Sequence, residues 1–330
     1  MRILSRLCCL FLLSAIGLVA GPVEFGREQL NAALGEKGLK LTIETELNLD
    51  PPGTFRILPL RLGARVSGGD LRGLMYGLLE TASQIRDTGK IKAVTFKPAL
   101  QQRGVRMLPS DAELAAPDYF MGDRWKNFFA MLARDRINRF VLVLPPSNTD
   151  LERIRFLSST ASEFGVDFIL GIRGPLGDSA LQTHLRELLD ESVLVRGIQI
   201  QPASESMDFY LSVVFNVIKQ TGRRVTLDLH GSEARPQLPL AAIGLGIPLT
   251  LPPGSKLGEA GYDLHTLIAA PDPEEGIDVV RSRIKRLVDR GVTAFEIDAP
   301  SAQPDQHARF YQTWGQVSYD QEAPAPPAGK

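Results

Sequence analysis

The sequence predicts an α/β protein, a (β/α)8 TIM-like barrel preceded by a small α/β domain. From about residue 102 onward one unit recurs, in which an apolar strand, a polar turn and an amphipathic helix follow one another. Gly165, Gly222 and Gly291 stand where a helix should end before the next strand, since glycine readily adopts the left-handed backbone that closes a helix. Eight strands, as many as the barrel requires, fit this repeat. They begin near Arg103, Asn138, Val166, Val195, Arg223, Ile247, His265 and Val292.

We assign residues 101–320 to the barrel. The spacing of apolar residues predicts amphipathic helices between the strands. Trp125, Phe129 and Leu132, for example, share one face of a predicted helix. The interval 247–270 fits the repeat least well, because it leaves little room for a full helix. A doubly wound open sheet is the alternative architecture, since one sequence does not reveal the order of the strands.

The first residues are typical of a secretory signal peptide. Arg2 and Arg6 flank the start of an apolar run, Leu7 to Ala20, that ends in small residues. We therefore assign residues 1–21 to a signal peptide, and expect a periplasmic or extracellular protein that begins near Gly21 to Glu24. A retained anchor is the alternative, although a transmembrane helix needs about 20 apolar residues.

Composition excludes several classes of function. Cys8 and Cys9, the two cysteines of the chain, lie in this segment, so the mature chain can form no disulfide and no thiolate site. A net charge of -1 gives no reason to expect a nucleic acid or an anionic membrane as partner. We expect no metal and no cofactor, because the histidines lack the spacing of metal ligands: His184, His230, His265 and His307.

We assign residues 22–100 to the small α/β domain. Residues 321–330 are rich in Pro and Ala, so we expect them to form a disordered tail. The strands of the small domain are predicted at Leu39–Leu47, Phe55–Val66 and Ile91–Phe96. A helix from Asp70 to Asp87 lies between the last two of them. Asp70 can cap its start, and Gly89 stands just past its end.

Candidate functional residues are expected at the carboxyl ends of the barrel strands, where such enzymes carry their active sites. Side chains alternate between the two faces of a strand. Burying polar groups without partners costs a few kcal/mol each, so such groups must meet water, one another or a ligand. Three predicted strands carry polar residues at alternate positions near their ends: Gln199 and Gln201, then Asp228 and His230, then Glu296 and Asp298.

Glu205 follows the fourth predicted strand and would lie at the same end of the barrel. A carboxyl group there, beside a second one, is the pair that glycoside hydrolysis uses. The candidate catalytic residues are therefore Glu205, Asp228 and Asp298. The alternative for Glu205 is a structural role, because Ser204 and Glu205 are also a favourable start for a helix.

Structural alternatives are open for the other polar residues too. Asp228 and His230 can form a hydrogen-bonded pair, and Glu296 and Asp298 can form ion pairs with Arg103 or Arg106 inside the barrel. Two loop cations after other strands could hold a sugar carboxylate or hydroxyl groups, or could simply be solvated. With them, the candidate substrate-binding residues are Arg173, Gln201, His230, Lys256 and Glu296.

One stretch of the chain resembles a known family. The segment GGDLRGLMYGLLETASQI, followed by a strand and RGVRML, contains Gly73, Tyr76-Gly77, Gln84 and Arg103-Gly104. It resembles the junction between the small α/β domain and the first barrel strand in glycoside hydrolases of the β-hexosaminidase (family 20) and α-glucuronidase (family 67) types. The next segment, DRWKNFFAMLARDRINRF, resembles the first barrel helix and second strand of those enzymes.

This resemblance implies a carbohydrate-active protein whose acid follows the fourth strand, where this chain has Glu205. The hexosaminidase type has adjacent Asp and Glu there, whereas this chain has Ser204-Glu205. The function expected is an exported glycoside hydrolase-like protein that acts on a hexosaminide or uronide by carboxylate general acid catalysis. The alternatives are a non-catalytic carbohydrate-binding or degenerate barrel, and a different barrel enzyme such as a lyase or isomerase.

Overall fold

A computed structural model describes residues 21–145, 150–172, 178–190, 194–200, 210–223, 225–228, 249–250, 265–268, 271–299 and 307–322. These residues form a small four-stranded sheet and a separate eight-stranded sheet. No helix in these ranges is long and apolar enough to cross a membrane.

The small sheet comes first along the chain. Its elements are α1 (Pro22–Glu36), β1 (Thr42–Leu47), β2 (Phe55–Leu60), β3 (Gly63–Gly68), α2 (Leu71–Thr88) and β4 (Val94–Phe96). The strand order is β1-β3-β2-β4, with β1 and β3 parallel and the other pairs antiparallel. Phe55, Ile57 and Val66 of the sheet share one buried core with Met75 and Leu78 of α2. The sheet and its helices therefore form one packed α/β layer.

The sequence predicted part of this unit. Asp70 caps α2 as expected, because its Oδ1 accepts the backbone N–H of Gly73 at 2.6 Å. Gly89 ends the helix with φ at 67°. The single strand predicted over 55–66 was wrong, since residues 61–62 turn the chain between β2 and β3. The helix α1 was not predicted.

The eight-stranded sheet is entirely parallel. Its strands are β5 (Gln102–Met107), β6 (Arg139–Leu144), β7 (Asp167–Ile172), β8 (Val195–Ile200), β9 (Thr226–Asp228), β10 (Leu249–Thr250), β11 (His265–Ile268) and β12 (Ala294–Asp298). Their order is β10-β9-β8-β7-β6-β5-β12-β11. Each begins within three residues of its predicted start, so the strand predictions are confirmed.

In the described part of the chain, helices follow six of these eight strands. They are α3 (Asp111–Leu114), α4 (Gly122–Arg134), α5 (Leu151–Glu163), α6 (Asp178–Asp190), α7 (Asn216–Thr221, after a π-helical turn at Tyr210–Phe215), α8 (Ile277–Asp289) and α9 (Ala308–Tyr319). The outward side chains of the strands, such as Phe140, Leu170 and Ile297, are buried with these helices in one large core. The inner face carries the separate apolar cluster of Val141, Val143 and Ile169.

The sheet is strongly curled. In a flat sheet β8 and β12, which are four steps apart, would be separated by roughly 19 Å. Instead, Gln199 of β8 donates a hydrogen bond to Glu296 of β12 at 3.1 Å. Among the described residues no ladder joins the edge strands β10 and β11, so this part of the chain shows a curled parallel sheet.

Arg103 joins the curled sheet to the small unit. Its side chain is fully buried on the outer face, with its guanidinium 5.0 Å from the ring of Tyr319 and 5.8 Å from that of Tyr76. It donates hydrogen bonds to the Tyr76 hydroxyl and to the backbone carbonyl of Arg136. The idea that Arg103 pairs with a carboxylate inside the barrel was therefore wrong, because this side chain faces α2 and α9.

Candidate functional site

The inner face of the curled sheet carries a buried ion pair between β6 and β12. Arg139 Nε donates to Glu296 Oε1 at 2.8 Å, and Gln199 Nε2 donates to Glu296 Oε2 at 3.1 Å. Arg139 also donates to Gln102 Oε1 at 3.3 Å. Glu296 is fully buried, and each of its two carboxylate oxygens accepts a hydrogen bond from a neighbouring side chain.

Gly104 explains how this ion pair fits. The strand β5 lies between β6 and β12, and the Cα positions of Arg139 and Glu296 are both in register with Gly104. A Cβ at Gly104 would lie 2.7 Å from Glu296 Cγ and 3.5 Å from Arg139 Cδ. The two side chains therefore meet across β5 because residue 104 has no side chain.

A second ion pair lies at the carboxyl end of β12. Arg106 donates from Nε to Gln199 Oε1 and from Nη1 to Asp298 Oδ1, both at 3.0 Å. The Arg106 side chain is 6% exposed, whereas that of Asp298 is 22% exposed. Gln199 contacts both Arg106 and Glu296, so it connects the two ion pairs. We call Gln102, Arg106, Arg139, Gln199, Glu296 and Asp298 the inner network.

The exposure of Asp298 decides what the inner network can do. Its contact with Arg106 is a charge-assisted hydrogen bond, which fixes the position of the carboxylate. A charged carboxylate that solvent can reach can attack a carbon, accept a proton or stabilise a positive charge. Glu296 has no exposed surface, so in this structure it is an internal partner of Arg139 and Gln199.

For the other predicted site residues the structure gives only a strand position or no position. Asp228 ends β9, and its Cα is in register with Gln199 on one side and with Thr250 on the other. Glu205 lies outside the described residues and stays a prediction, as do four of the predicted ligand residues: Arg173, Gln201, His230 and Lys256. No group of His, Cys, Asp or Glu in the described part of the chain could hold a metal ion.

Two members of the inner network bear on the alternatives left open by the sequence. The structural alternative of an ion pair between Asp298 and Arg106 is observed, whereas Glu296 pairs with Arg139, which the sequence had not suggested. One signal could have found Arg139. It is the one charged residue at the start of a predicted apolar strand, directly before Phe140-Val-Leu-Val-Leu. A buried carboxylate on another strand needs a cation of this kind as its partner.

Comparison with known proteins places this fold among glycoside hydrolases. No protein-family model and no curated protein matches the sequence. Among solved structures, a GH138 enzyme targeting pectin rhamnogalacturonan II matches with a TM-score of 0.75 and 17% identity over 91% of this chain and 49% of that chain. CpGH84B matches with a TM-score of 0.62 and 12% identity, over 91% of this chain and 67% of that one. A glycoside hydrolase family 20 β-N-acetylglucosaminidase matches with a TM-score of 0.58 and 12% identity, over 92% and 88%.

These matches concern the fold, because the sequence identities are low. The chain spans about half the length of the GH138 structure. The resemblance to glycoside hydrolases that the segment around Tyr76 and Arg103 suggested is confirmed at the level of fold.

Proposed function

We propose that this chain is an exported glycoside hydrolase-like protein that acts on a hexosaminide or uronide at the carboxyl end of a closed barrel. The observation that carries the proposal is Asp298, a partly exposed carboxylate that Arg106 holds at the end of the inner network. The glycoside hydrolase-like fold supports it. The carboxyl end of the strands is also where barrels of this kind bind their substrates.

The chemistry requires two carboxyl groups with different roles. Glu205 is the general acid that protonates the leaving oxygen of the glycosidic bond. Asp298 or Asp228 is its partner, which stabilises the positive charge at the anomeric carbon, attacks that carbon or activates a water molecule. Asp298 suits the partner role, because Arg106 holds its carboxylate by a hydrogen bond at the carboxyl end of the sheet while part of its surface stays exposed.

The remaining residues hold or recognise the reacting groups. Arg139 holds Glu296, and Glu296 accepts a hydrogen bond from Gln199. Gln199 in turn accepts a hydrogen bond from Arg106 and so positions it. The proposed ligand residues Gln201 and His230 supply hydrogen bonds to sugar hydroxyls. Arg173 and Lys256, the two cations among the proposed ligand residues, suit the carboxylate of a uronide.

The test begins with a screen of chromogenic hexosaminides and uronides. On any substrate that is hydrolysed, Glu205→Gln keeps the size of the side chain but removes its acidic proton. It should lower the hydrolysis of an unactivated glycoside by about 10² to 10⁴, as typical of general acid catalysis. A substrate with a good leaving group should suffer much less, because it needs little protonation.

Asp289→Asn is the matched control, since Asp289 is an exposed partner of Lys285 on α8. Unchanged turnover in Glu205→Gln would remove Glu205 from the chemistry. Glycan binding by the wild type without any hydrolysis would favour a non-catalytic carbohydrate-binding protein.

A further inference from the structure

A cleft lies between the small unit and the amino end of the large sheet. Its volume is about 350 Å³. The first turn of α2 forms one wall, with Leu71 and Arg72, and the start of β7 forms another, with Asp167. Because β7 and β12 belong to one parallel sheet, Asp298 at the end of β12 lies at the opposite end of the strands. The cleft is therefore separate from the proposed catalytic centre.

An ion pair in the wall of this cleft is partly open to solvent. Arg72 donates from Nε to the backbone carbonyl of Gly165 at 2.6 Å, and its Nη2 lies 3.0 Å from Asp167 Oδ1. Gly165 and Asp167 both line the cleft, so the guanidinium group between them belongs to its wall. The side chain of Asp167 is 35% exposed and that of Arg72 is 23% exposed. Arg72 contacts Oδ1 of the carboxylate, so Oδ2 can accept a hydrogen bond from a ligand.

The charges around the cleft favour a neutral occupant. Its lining residues include two carboxylates, Asp70 and Asp167, and two guanidinium groups, Arg72 and Arg196. The carboxylates repel an anion and the guanidinium groups repel a cation. A hydroxyl group, by contrast, can donate a hydrogen bond to a carboxylate and accept one from a guanidinium group. A neutral molecule with several hydroxyl groups therefore suits these walls.

The cleft also offers apolar surface. Leu71 is 53% exposed, and Pro22, Val166 and Leu194 line the cleft with it. A sugar ring has an apolar face of C–H groups and hydroxyl groups along its edge, so it can contact both kinds of surface. The volume lies at the lower end of the range of about 300–1,000 Å³ in which proteins bind small molecules, which suits a mono- or disaccharide.

We propose that this cleft is a second saccharide-binding site. A sugar hydroxyl donates to Asp167 Oδ2, and the C–H face of the ring packs against Leu71. Such a site anchors a glycan chain at a distance from the bond that is cleaved. The proposal rests on the proposed function only for its class of ligand, because the cleft shares no residue with the proposed catalytic centre.

Methyl NMR of the full chain tests the proposal. Leu71 and Leu194 are the reporters because they line the cleft, and Leu62, which is 74% exposed in the turn between β2 and β3, is the internal reference. Neutral sugars (glucose, galactose, mannose, N-acetylglucosamine and cellobiose) are titrated to about 100 mM, which covers the weak end of specific binding. At least one of them should move the signals of Leu71 and Leu194 along a saturating curve and leave that of Leu62 in place.

Two variants test the proposed contacts. Asp167→Asn can keep the contact with Arg72 through its carbonyl oxygen while presenting an NH2 group in place of Oδ2. Ser162→Trp introduces a large ring at a lining position in the last turn of α5, where it should fill the cleft. Each should weaken sugar binding at least about tenfold, which for Asp167→Asn is the equivalent of one lost hydrogen bond to a charged group.

Asp278→Asn and Ser83→Trp are the matched controls. Asp278 forms an ion pair with Arg281 on the surface of α8, and Ser83 is exposed on α2. Neither residue lines the cleft, so both variants should bind sugar as the wild type does.

The proposal is overturned if no sugar moves the signals of Leu71 and Leu194, or if inorganic phosphate moves them and no sugar does. A shift that persists in both Asp167→Asn and Ser162→Trp, or an equal shift of Leu62, would overturn it as well. The titration needs no turnover, so a failed hydrolysis screen leaves it decisive. Conversely, Asp167→Asn should retain any hydrolysis of chromogenic glycosides, so failure of this site is distinguishable from failure of the catalytic one.

Discussion

Glu296→Leu tests whether the inner network supports the curled sheet. The substitution removes one partner of an ion pair in which Arg139 is 4% exposed and Glu296 is 0% exposed. Arg139 would then lose its carboxylate in a place that water does not reach, and Gln199 would lose the acceptor of its amide. Breaking a buried pair in this way costs about 3–5 kcal/mol of the free energy of unfolding.

The double variant Arg139→Met/Glu296→Leu should recover most of this loss, because it leaves no charge unpaired and fills the space with apolar atoms. Glu44→Leu is the matched control. Glu44 pairs with Arg65 at 2.9 Å on the surface, where water screens the charges, so the free energy of unfolding should hardly change.

Urea unfolding followed by tryptophan fluorescence measures these differences. Trp314 is a suitable reporter, because its ring centroid lies 5.9 Å from that of Phe295, the neighbour of Glu296. The reasoning would be refuted if Glu296→Leu unfolded within about 1 kcal/mol of the wild type, or if the double variant were as unstable as the single one.

Three further predictions concern other parts of the chain. Burial raises the pKa of Asp135 to about 8, so the folded state holds a proton that the unfolded chain releases above about pH 4. Asp135→Asn should therefore gain stability over the wild type by about 1.4 kcal/mol per pH unit between pH 5 and 7 in thermal unfolding, and a gain independent of pH would contradict this. Gly315→Ala would place a Cβ 1.9 Å from the Asp135 carbonyl oxygen, so it should lower the melting temperature, whereas Gly35→Ala, with nothing within 4 Å, should not. N-terminal sequencing of exported material should give a start near Gly21 to Glu24, and an intact Met1 would contradict cleavage.

The strands of the large sheet could be predicted because their signals are local. An apolar run bounded by a helix end and a turn is visible within a dozen residues, as at Gly165 before β7. The hairpin at residues 61–62 was missed because Arg61 and Leu62 are not typical turn residues. The helix α1 was missed because Gly21-Pro22 had been interpreted only as the end of the signal segment.

The partners within the inner network could be predicted only in part, because they are distant along the chain. Arg106 and Asp298 are 192 residues apart in sequence, and Arg139 and Glu296 are 157 apart. Alternation along a strand indicates which residues face inward, but the contact between two strands depends on the curl and register of the whole sheet. Asp298 and Arg106 were nevertheless named as a possible pair, since both alternate with apolar residues on predicted strands.

The central claim is that Asp298 belongs to a carbohydrate-hydrolysing site, and the rate of glycoside hydrolysis by Asp298→Asn tests it most directly. Asparagine can still accept the hydrogen bond from Arg106, but it carries no negative charge. On a hexosaminide or uronide that the wild type hydrolyses, we predict that kcat/KM falls by about 10² to 10⁴ in this variant, with the melting temperature nearly unchanged and Asp289→Asn fully active. Hydrolysis by folded Asp298→Asn at the rate of the wild type would contradict the claim.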